Sequence, residues 1–481
     1  MNAELLSRYQ FALTASFHFI FPPISMGLGV LLVWMGWKYL RTRDPVWRQS
    51  SFFWVRVYGL VFSLGVATGI VQEFAFGMNW SQYSAFVGNV FGSLLAAEGV
   101  FAFFLEGGFL GLLLFGGSRL GPRMWLAATF LVAFGAHFSA LWILMANSWM
   151  QTPAGFVVHS SQWGMQAVMT NFWQVIWTAS FWPRLLHTFV ASWMIGCALV
   201  MSVSAWYLLK RRHLEFAARN LAVALPAFFV LSVLQMAAGG NMAVEVTNNQ
   251  VPKLAAMEGV FKSQSCAPLY LVGWANEQKQ TVHGIPAPVP CLLSILSYKD
   301  PHATITGLDN FPKSNWAPVN VVFQAYHLMI DLGFLFPLIG LVGVFVWWRR
   351  RGGRWGPGDT YQLLVMPRWL LWVLVFTVPF TEVATISGWW TAETGRQPWV
   401  VWNVLRTANA DSPVLSTPEV LFTLISFGVL FLILFVLFLF LLDRMIRQGP
   451  PSTIDNAPAE LPDTFREVFR GRARASSGGG G

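Results

Sequence analysis

The chain has 481 residues, of which 55% are hydrophobic and only 11% charged, with 25 Trp and 42 Phe. A soluble protein would carry about a quarter charged residues, so the composition excludes a soluble globular chain or a nucleic-acid binder and points to a polytopic helical membrane protein. Three Cys are too few for a disulfide scaffold or a Cys-ligated iron–sulfur cluster.

Nine apolar segments follow one another, at residues 11–37, 52–76, 94–115, 124–147, 184–208, 217–238, 320–347, 369–391 and 419–442. Each can cross roughly 30 Å of hydrocarbon at about 1.5 Å per residue. Backbone groups in lipid must be satisfied within the segment, so these are helices. The first is too long for a signal peptide and lacks a basic leader. Most of the 31 Lys and Arg fall in alternate connections: 38–56, 119–123, 210–219, 349–368 and the tail after 443. The positive-inside rule then puts the N-terminus outside and the C-terminus in the cytoplasm. The predicted fold is an all-α polytopic membrane protein with nine transmembrane helices.

The chain divides into helices 1–6 (1–238), an outer segment (239–319), helices 7–9 (320–445) and a polar tail (446–481) that reads as disordered and cytoplasmic. Residues 148–183 are Trp-rich and free of Lys and Arg, which suits an outer interfacial segment. Cys266 and Cys291 lie 25 residues apart in the outer segment, in an oxidising compartment, and predict a disulfide. That segment carries few apolar residues for a core of its own. The bond would therefore add order, on the order of 3 kcal/mol by loop closure.

Ionisable groups are costly in lipid, so those that interrupt the spans mark the chemistry. His18 lies in the outer third of span 1. Glu98 is near the outer end of span 3, with Glu106 roughly 12 Å deeper. His137 is mid-span in span 4 and His187 at the outer end of span 5. His327 and Met329 lie in the outer third of span 7, with Glu382, Trp389, Glu393 and Arg396 at or near the outer end of span 8. Five helices thus converge on the outer half of the membrane, the pattern of a buried cofactor site. His, Met and carboxylate are plausible haem ligands. No short zinc-type spacing occurs. A lone intramembrane His such as His137 more often bonds a neighbouring carbonyl, and Met329 alone reads as ordinary packing. Two carboxylates on one apolar helix, Glu98 and Glu106, favour a proton path.

The run G-W-W-T-A-E-T-G-R-Q-P-W at 388–399 resembles the G-W-x-x-x-E-x-G-R-Q-P-W signature of cytochrome bd-type quinol oxidases, subunit I. Similar family motifs stand at 97–106, 139–147, 253–258 and 323–329, and the resemblance covers residues 1 to about 445. It implies that His187 and Met329 ligate a low-spin haem b, and that His18 and Glu393 each ligate a high-spin haem. Glu98 and Glu106 would then lie on the proton route, Trp389 between haems and Arg396 by haem propionates. Lys253 and Glu258 would serve quinol oxidation. It further implies two haem b and one haem d, or a third haem b, with quinol as substrate. A second membrane subunit, a small single-span subunit and a bacterial cytoplasmic (inner) membrane location also follow from it. The family makes water without pumping protons. The short outer loop groups the chain with short-loop members, some of them described as cyanide-insensitive. His327 stands where some members carry Arg, giving a titratable neighbour in place of a permanent charge. Two rivals remain on the residues alone: a cofactor-free proton- or cation-coupled transporter, and a haem-b quinone reductase with His/His ligation. The G-R-Q-P-W run argues against both.

Overall fold

The computed structural model describes residues 2–116, 119–161, 164–350 and 366–451. The predicted tail beyond 451 and the basic residues Arg351 and Arg354 lie outside the described residues. The first span is broken: α1 (Ala3–His18) stops where Pro22 and Pro23 enter the first turn of α2 (Phe21–Thr42). Proline lacks an N–H and is best accommodated in the first turn of a helix, which suits a break directly after His18. Asp44 caps α3 (Pro45–Met78) by accepting the N–H of Val46 at 3.0 Å. α4 (Ser81–Ala97) runs through a π-helical turn, Glu98–Phe103, into α5 (Phe104–Gly116). Then follow α6 (Pro122–Gln151), α7 (Phe172–Ile176), α8 (Phe181–Lys210) and α9 (Leu214–Asn249). α10 (Val251–Glu258) and α11 (Leu292–Tyr298) belong to the outer segment. The chain returns through α12 (Val319–Arg350), α13 (Arg368–Val375), α14 (Thr377–Thr394) and α15 (Thr417–Gln448).

The polytopic all-α class holds. Among the described residues, however, eight helices are long and apolar enough to cross a membrane, where the sequence predicts nine. The difference is the 94–115 segment, which the π turn at Glu98 splits so that α5 alone is short. The sixth span also runs past its predicted end at 238, because Glu245 and Thr247 are buried although polar, and hydropathy stops short of them.

α2 and α8 cross at Gly27 and Gly196. A Cβ on Gly27 would lie 2.1 Å from the Ser192 carbonyl oxygen, so only glycine allows this approach. Around it Leu28, Trp54, Tyr58, Val200 and Phe228 form the main core. α8, α9, α12 and α14 pack in a ring in that order, leaving α8 and α12 across from each other. Between α6 and α8, β1 (Phe156–Ser161) and β2 (Gly164–Met169) form an antiparallel hairpin. Trp173, Trp177 and Trp182 stack beside it, with centroids 6.4 and 5.2 Å apart, in keeping with an interfacial segment.

The outer segment holds β3 (Gln264–Ser265), β4 (Tyr270–Asn276), β5 (Thr281–Pro286) and β6 (Thr304–Ile305), paired β3 with β6 and β4 with β5, all antiparallel. Contrary to the sequence expectation, it has a core of its own. Leu254, Val260, Phe261, Leu269, Leu293, Ile305 and Leu308 bury together against Val322 and Phe323 of α12. These residues are scattered without period, and only long-range folding assembles them. Cys266 and Cys291 are joined in a disulfide, as the sequence predicts, and Cys197 is free and buried in α8. Thiol titration in denaturant should accordingly find one thiol without reductant and three with it. Three without reductant would refute the bond.

Candidate functional site

α6 acts as a ruler for the site. At its outer end Asn147 Nδ2 donates to Glu393 Oε1 at 3.0 Å, and Gln151 Nε2 donates to the same oxygen at 3.3 Å. Further in, Ser139 donates to Glu98 at 2.5 Å, on the π turn that aims this carboxyl at α6. One turn deeper, Gly135 admits Glu106, whose Cβ would stand 3.0 Å from any side chain there. Glu106 is buried and accepts a 2.6 Å hydrogen bond from the Tyr58 hydroxyl of α3. The two carboxyls of the predicted proton path therefore sit one above the other along α6. His137, between Gly135 and Ser139 on α6, takes no part. Its Nδ1 bonds the Ala133 carbonyl at 2.7 Å and its Nε2 accepts from Trp193 Nε1 at 2.8 Å, so both ring nitrogens are satisfied as the packing reading expects.

Glu393 lies in a cationic clamp. Arg396 donates to its Oε2 at 2.5 Å, while Arg184 of α8 is 4.0 Å from Oε1 and bonds Asn147 as well. Arg396 is 3% exposed, yet its Nε and Nη1 have no partner, and neither does Arg184 Nε. Trp389 packs on Phe11 of α1 with centroids 6.3 Å apart.

His187 and Met329 stand on α8 and α12, across the four-helix ring. His187 lies against α9, with both ring nitrogens 3.2–3.3 Å from Gln235 Nε2, and a Cβ on Gly239 would come 3.6 Å from its Cε1. Met329 lies against α14, where a Cβ on Gly388 would be 2.7 Å from its sulfur. His18 has the same kind of neighbour. Its Nδ1 bonds Thr68 at 2.9 Å, and a Cβ on Gly69 would be 3.2 Å from its Cε1. His327 is two residues from Met329 and so on the opposite side of α12. It bonds the Phe323 carbonyl at 2.8 Å and stacks on the Phe323 ring, within the outer core.

Lys253 and Glu258 begin and end the part of α10 that caps this region. Lys253, 2% exposed, donates to Gln151 Oε1 and Gln250 Oε1 at 3.1 Å and to the Ala392 carbonyl at 3.0 Å. All three ammonium donors are thus used, and they tie α10 to the residue before Glu393. Burial first, then the nearby Arg184, pulls Lys253 down to about 7. Burial pushes Glu258 up to about 7 against a hydrogen bond from Tyr326, and its Oε2 is unpartnered.

The sequence pattern of the family described as Cytochrome bd terminal oxidase subunit I matches residues 6–450. The chain belongs to that family. It is 33% identical to the Cytochrome bd-II ubiquinol oxidase subunit 1 of Escherichia coli (strain K12), over 95% of this chain and 98% of that one. It is 31% identical to the Cytochrome bd ubiquinol oxidase subunit 1 of Bacillus subtilis (strain 168), over 98% and 99%. Its fold matches the bd oxidase of Geobacillus thermodenitrificans with TM-score 0.83 at 27% identity, over 93% of this chain and 99% of that one. Cytochrome bd terminal oxidases are transmembrane quinol:oxygen oxidoreductases of respiratory electron transport, built on haem, and subunit I works beside a subunit II.

For a cytochrome bd subunit I, the residues present fit haem. His18, His187 and Met329 each face a glycine, and the unpartnered guanidinium nitrogens of Arg184 and Arg396 suit propionates. Several partners escape a linear reading: Arg184, Gln151, Gln235 and Tyr58. Arg184 alone left a signal, a basic residue three positions before His187 inside an apolar run. Gln151, Gln235 and Tyr58 acquire meaning only through the helix they face.

Proposed function

We propose that this chain is the haem-bearing catalytic subunit of a quinol oxidase that oxidises quinol at the outer membrane face and reduces oxygen to water with cytoplasmic protons. The observation that carries the reading is the four-helix ring with His187 and Met329 on opposing helices, each beside a glycine on the next. Such a pair suits a low-spin haem b. His18 and Glu393 would each hold a high-spin haem, as two haem b and one haem d or as three haem b, with Arg396 and Arg184 on propionates and Trp389 between haems. Bound haem supplies one-electron transfer where both axial positions are filled and oxygen binding where one is open.

The outer segment 239–319 is the quinol domain in this reading. Glu258, raised to about 7 with one oxygen unpartnered, is suited to accept a proton from a quinol hydroxyl at neutral pH. Lys253 couples α10 to the Glu393 turn through the Ala392 carbonyl. Glu106 and then Glu98 pass cytoplasmic protons outward along α6, with Tyr58 holding Glu106 in place. The distribution of Lys and Arg supports nine crossings of a bacterial inner membrane, the N-terminus outside and the C-terminus in the cytoplasm. Electrons drawn from outside and protons from inside then separate charge without a pump. Subunit II and a small single-span subunit would complete the complex.

A reduced-minus-oxidised visible spectrum of the purified complex tests this. Haem b bands are expected, with a further band at the red position of a chlorin if haem d is present. A spectrum without haem bands would end the reading in favour of a cofactor-free transporter.

A further inference from the structure

Glu382 has no part in the assignments above, and its surroundings are unusual. Both carboxyl oxygens are buried and neither has a hydrogen-bond partner. Seven residues on is Trp389, and eleven on is Glu393. At 3.6 residues per turn these intervals return to within about 20° of the same side of α14. Glu382 therefore shares the face of α14 that carries the Glu393 clamp.

Its depth follows from two independent rulers. Eleven residues of α14 place Glu382 about 16 Å inward of Glu393, deeper than the outer end of the span where the sequence reading sets it. On α6, the step from the Asn147 and Gln151 contacts of Glu393 to the Ser139 contact of Glu98 covers eight to twelve residues, about 12–18 Å. Glu382 and Glu98 are thus level. His18 is at the same level. α1 runs parallel to α15, as the Gln10–Thr423 bond and the Phe17–Phe431 ring stack advance in the same sense. α14 returns to α15 through the short 395–416 connection, so α1 and α14 are antiparallel. From their Phe11–Trp389 ring contact, seven residues inward reach His18 on one helix and Glu382 on the other.

On the cytoplasmic side of Glu382, α14 offers buried hydroxyls. Thr377 and Thr381, one turn apart, are 0% and 2% exposed, and Thr385 continues the row past Glu382. Each hydroxyl donates to a carbonyl of its own helix, at 3.0, 2.8 and 2.8 Å, which leaves oxygen lone pairs free to accept. Ser202 of α8 adds a further hydroxyl at the base of the row, bonded to the Val375 carbonyl at 2.7 Å. A row of hydroxyls therefore climbs the adjacent side of α14, with Thr381 about 100° around the helix from Glu382, and lies on the cytoplasmic side of an unpartnered carboxyl at the depth of His18.

We propose that Glu382 is the terminal proton donor of a second cytoplasmic route, along α14, that serves the oxygen-reducing site from the side opposite Glu98. The inference rests on the oxidase reading. Reduction of one oxygen to two waters takes four electrons, from two quinols, and four protons. Glu382 releases a proton to the reduced oxygen and regains one through the Thr381 and Thr377 hydroxyls. Its cost explains its form: a carboxyl held in apolar surroundings without a partner is unfavourable unless used.

The test uses the complete oxidase complex carrying Glu382→Gln, which keeps volume and removes the exchangeable acid. Haem content and the low-spin spectrum should be unchanged, while proton uptake in a single turnover of the reduced enzyme with oxygen should slow at least about tenfold, within the range for loss of an acid–base group. The infrared difference spectrum of reduction should lose one deuterium-sensitive carboxylic-acid band, and Glu382→Asp should restore part of the uptake rate. Full-rate uptake in Glu382→Gln, or an infrared difference identical to that of the unmutated enzyme, would overturn the proposal. So would loss of haem from that variant, which would make the carboxyl structural. Absence of oxygen reduction by the unmutated complex would instead sink the oxidase reading itself.

Discussion

Met329→Leu is expected to convert the low-spin haem signal of the purified complex to a high-spin one and to abolish electron entry from quinol. Leucine preserves volume and apolarity, so the α12–α14 contact should survive at a cost of less than about 1.5 kcal/mol. What it removes is the thioether, the group this reading assigns to the iron on this side of the ring. The sulfur is fixed by its surroundings: Gly388 leaves it room that a single methyl would take, since that methyl would come to 2.7 Å. No neighbouring side chain can substitute, because His327 faces the other side of α12 and is engaged with Phe323. The spectrum and quinol-driven reduction of the complex, measured together, decide the matter. A low-spin spectrum unchanged in Met329→Leu would remove Met329 from the ligand set.

Glu106→Gln should lower oxygen consumption at saturating quinol by about a hundredfold, the lower end of what a positioned acid–base group contributes, with haem content near normal. The substitution is close to isosteric. The amide oxygen can still accept the Tyr58 hydroxyl that now bonds Glu106 at 2.6 Å, and Gly135 still leaves space for the stem. Structure is therefore retained and only the transferable proton is lost. Replacement of Glu393 should behave differently, disturbing the haem spectrum itself, because this carboxylate is gripped by Arg396, Asn147 and Gln151 at the outer end. Full turnover in Glu106→Gln would mean that protons arrive elsewhere, and the α14 row ending at Glu382 is then the route to examine.

The sequence by itself determined the class of this protein and the inventory of its chemistry. Long apolar runs can only be helices in lipid, and ionisable residues inside them are rare enough to stand out one by one. This is why His18, Glu98, Glu106, His187 and Glu393 could be named before any fold was known, and why two outer cysteines sufficed to predict a bond. Tertiary structure decided which of them meet. His137, read from the sequence as a packing histidine, has both of its nitrogens satisfied by Ala133 and Trp193. The third predicted span became a helix broken at Glu98, since a π turn depends on local backbone pairing that hydropathy does not register. The outer segment gained a core because its apolar residues are spaced without period and converge only when α10, the strands and α12 pack together. Tyr58 and Gln151 are unremarkable in one dimension. Each acquires a role because helix packing places it against a carboxylate far away in sequence, and composition and spacing carry no record of that contact.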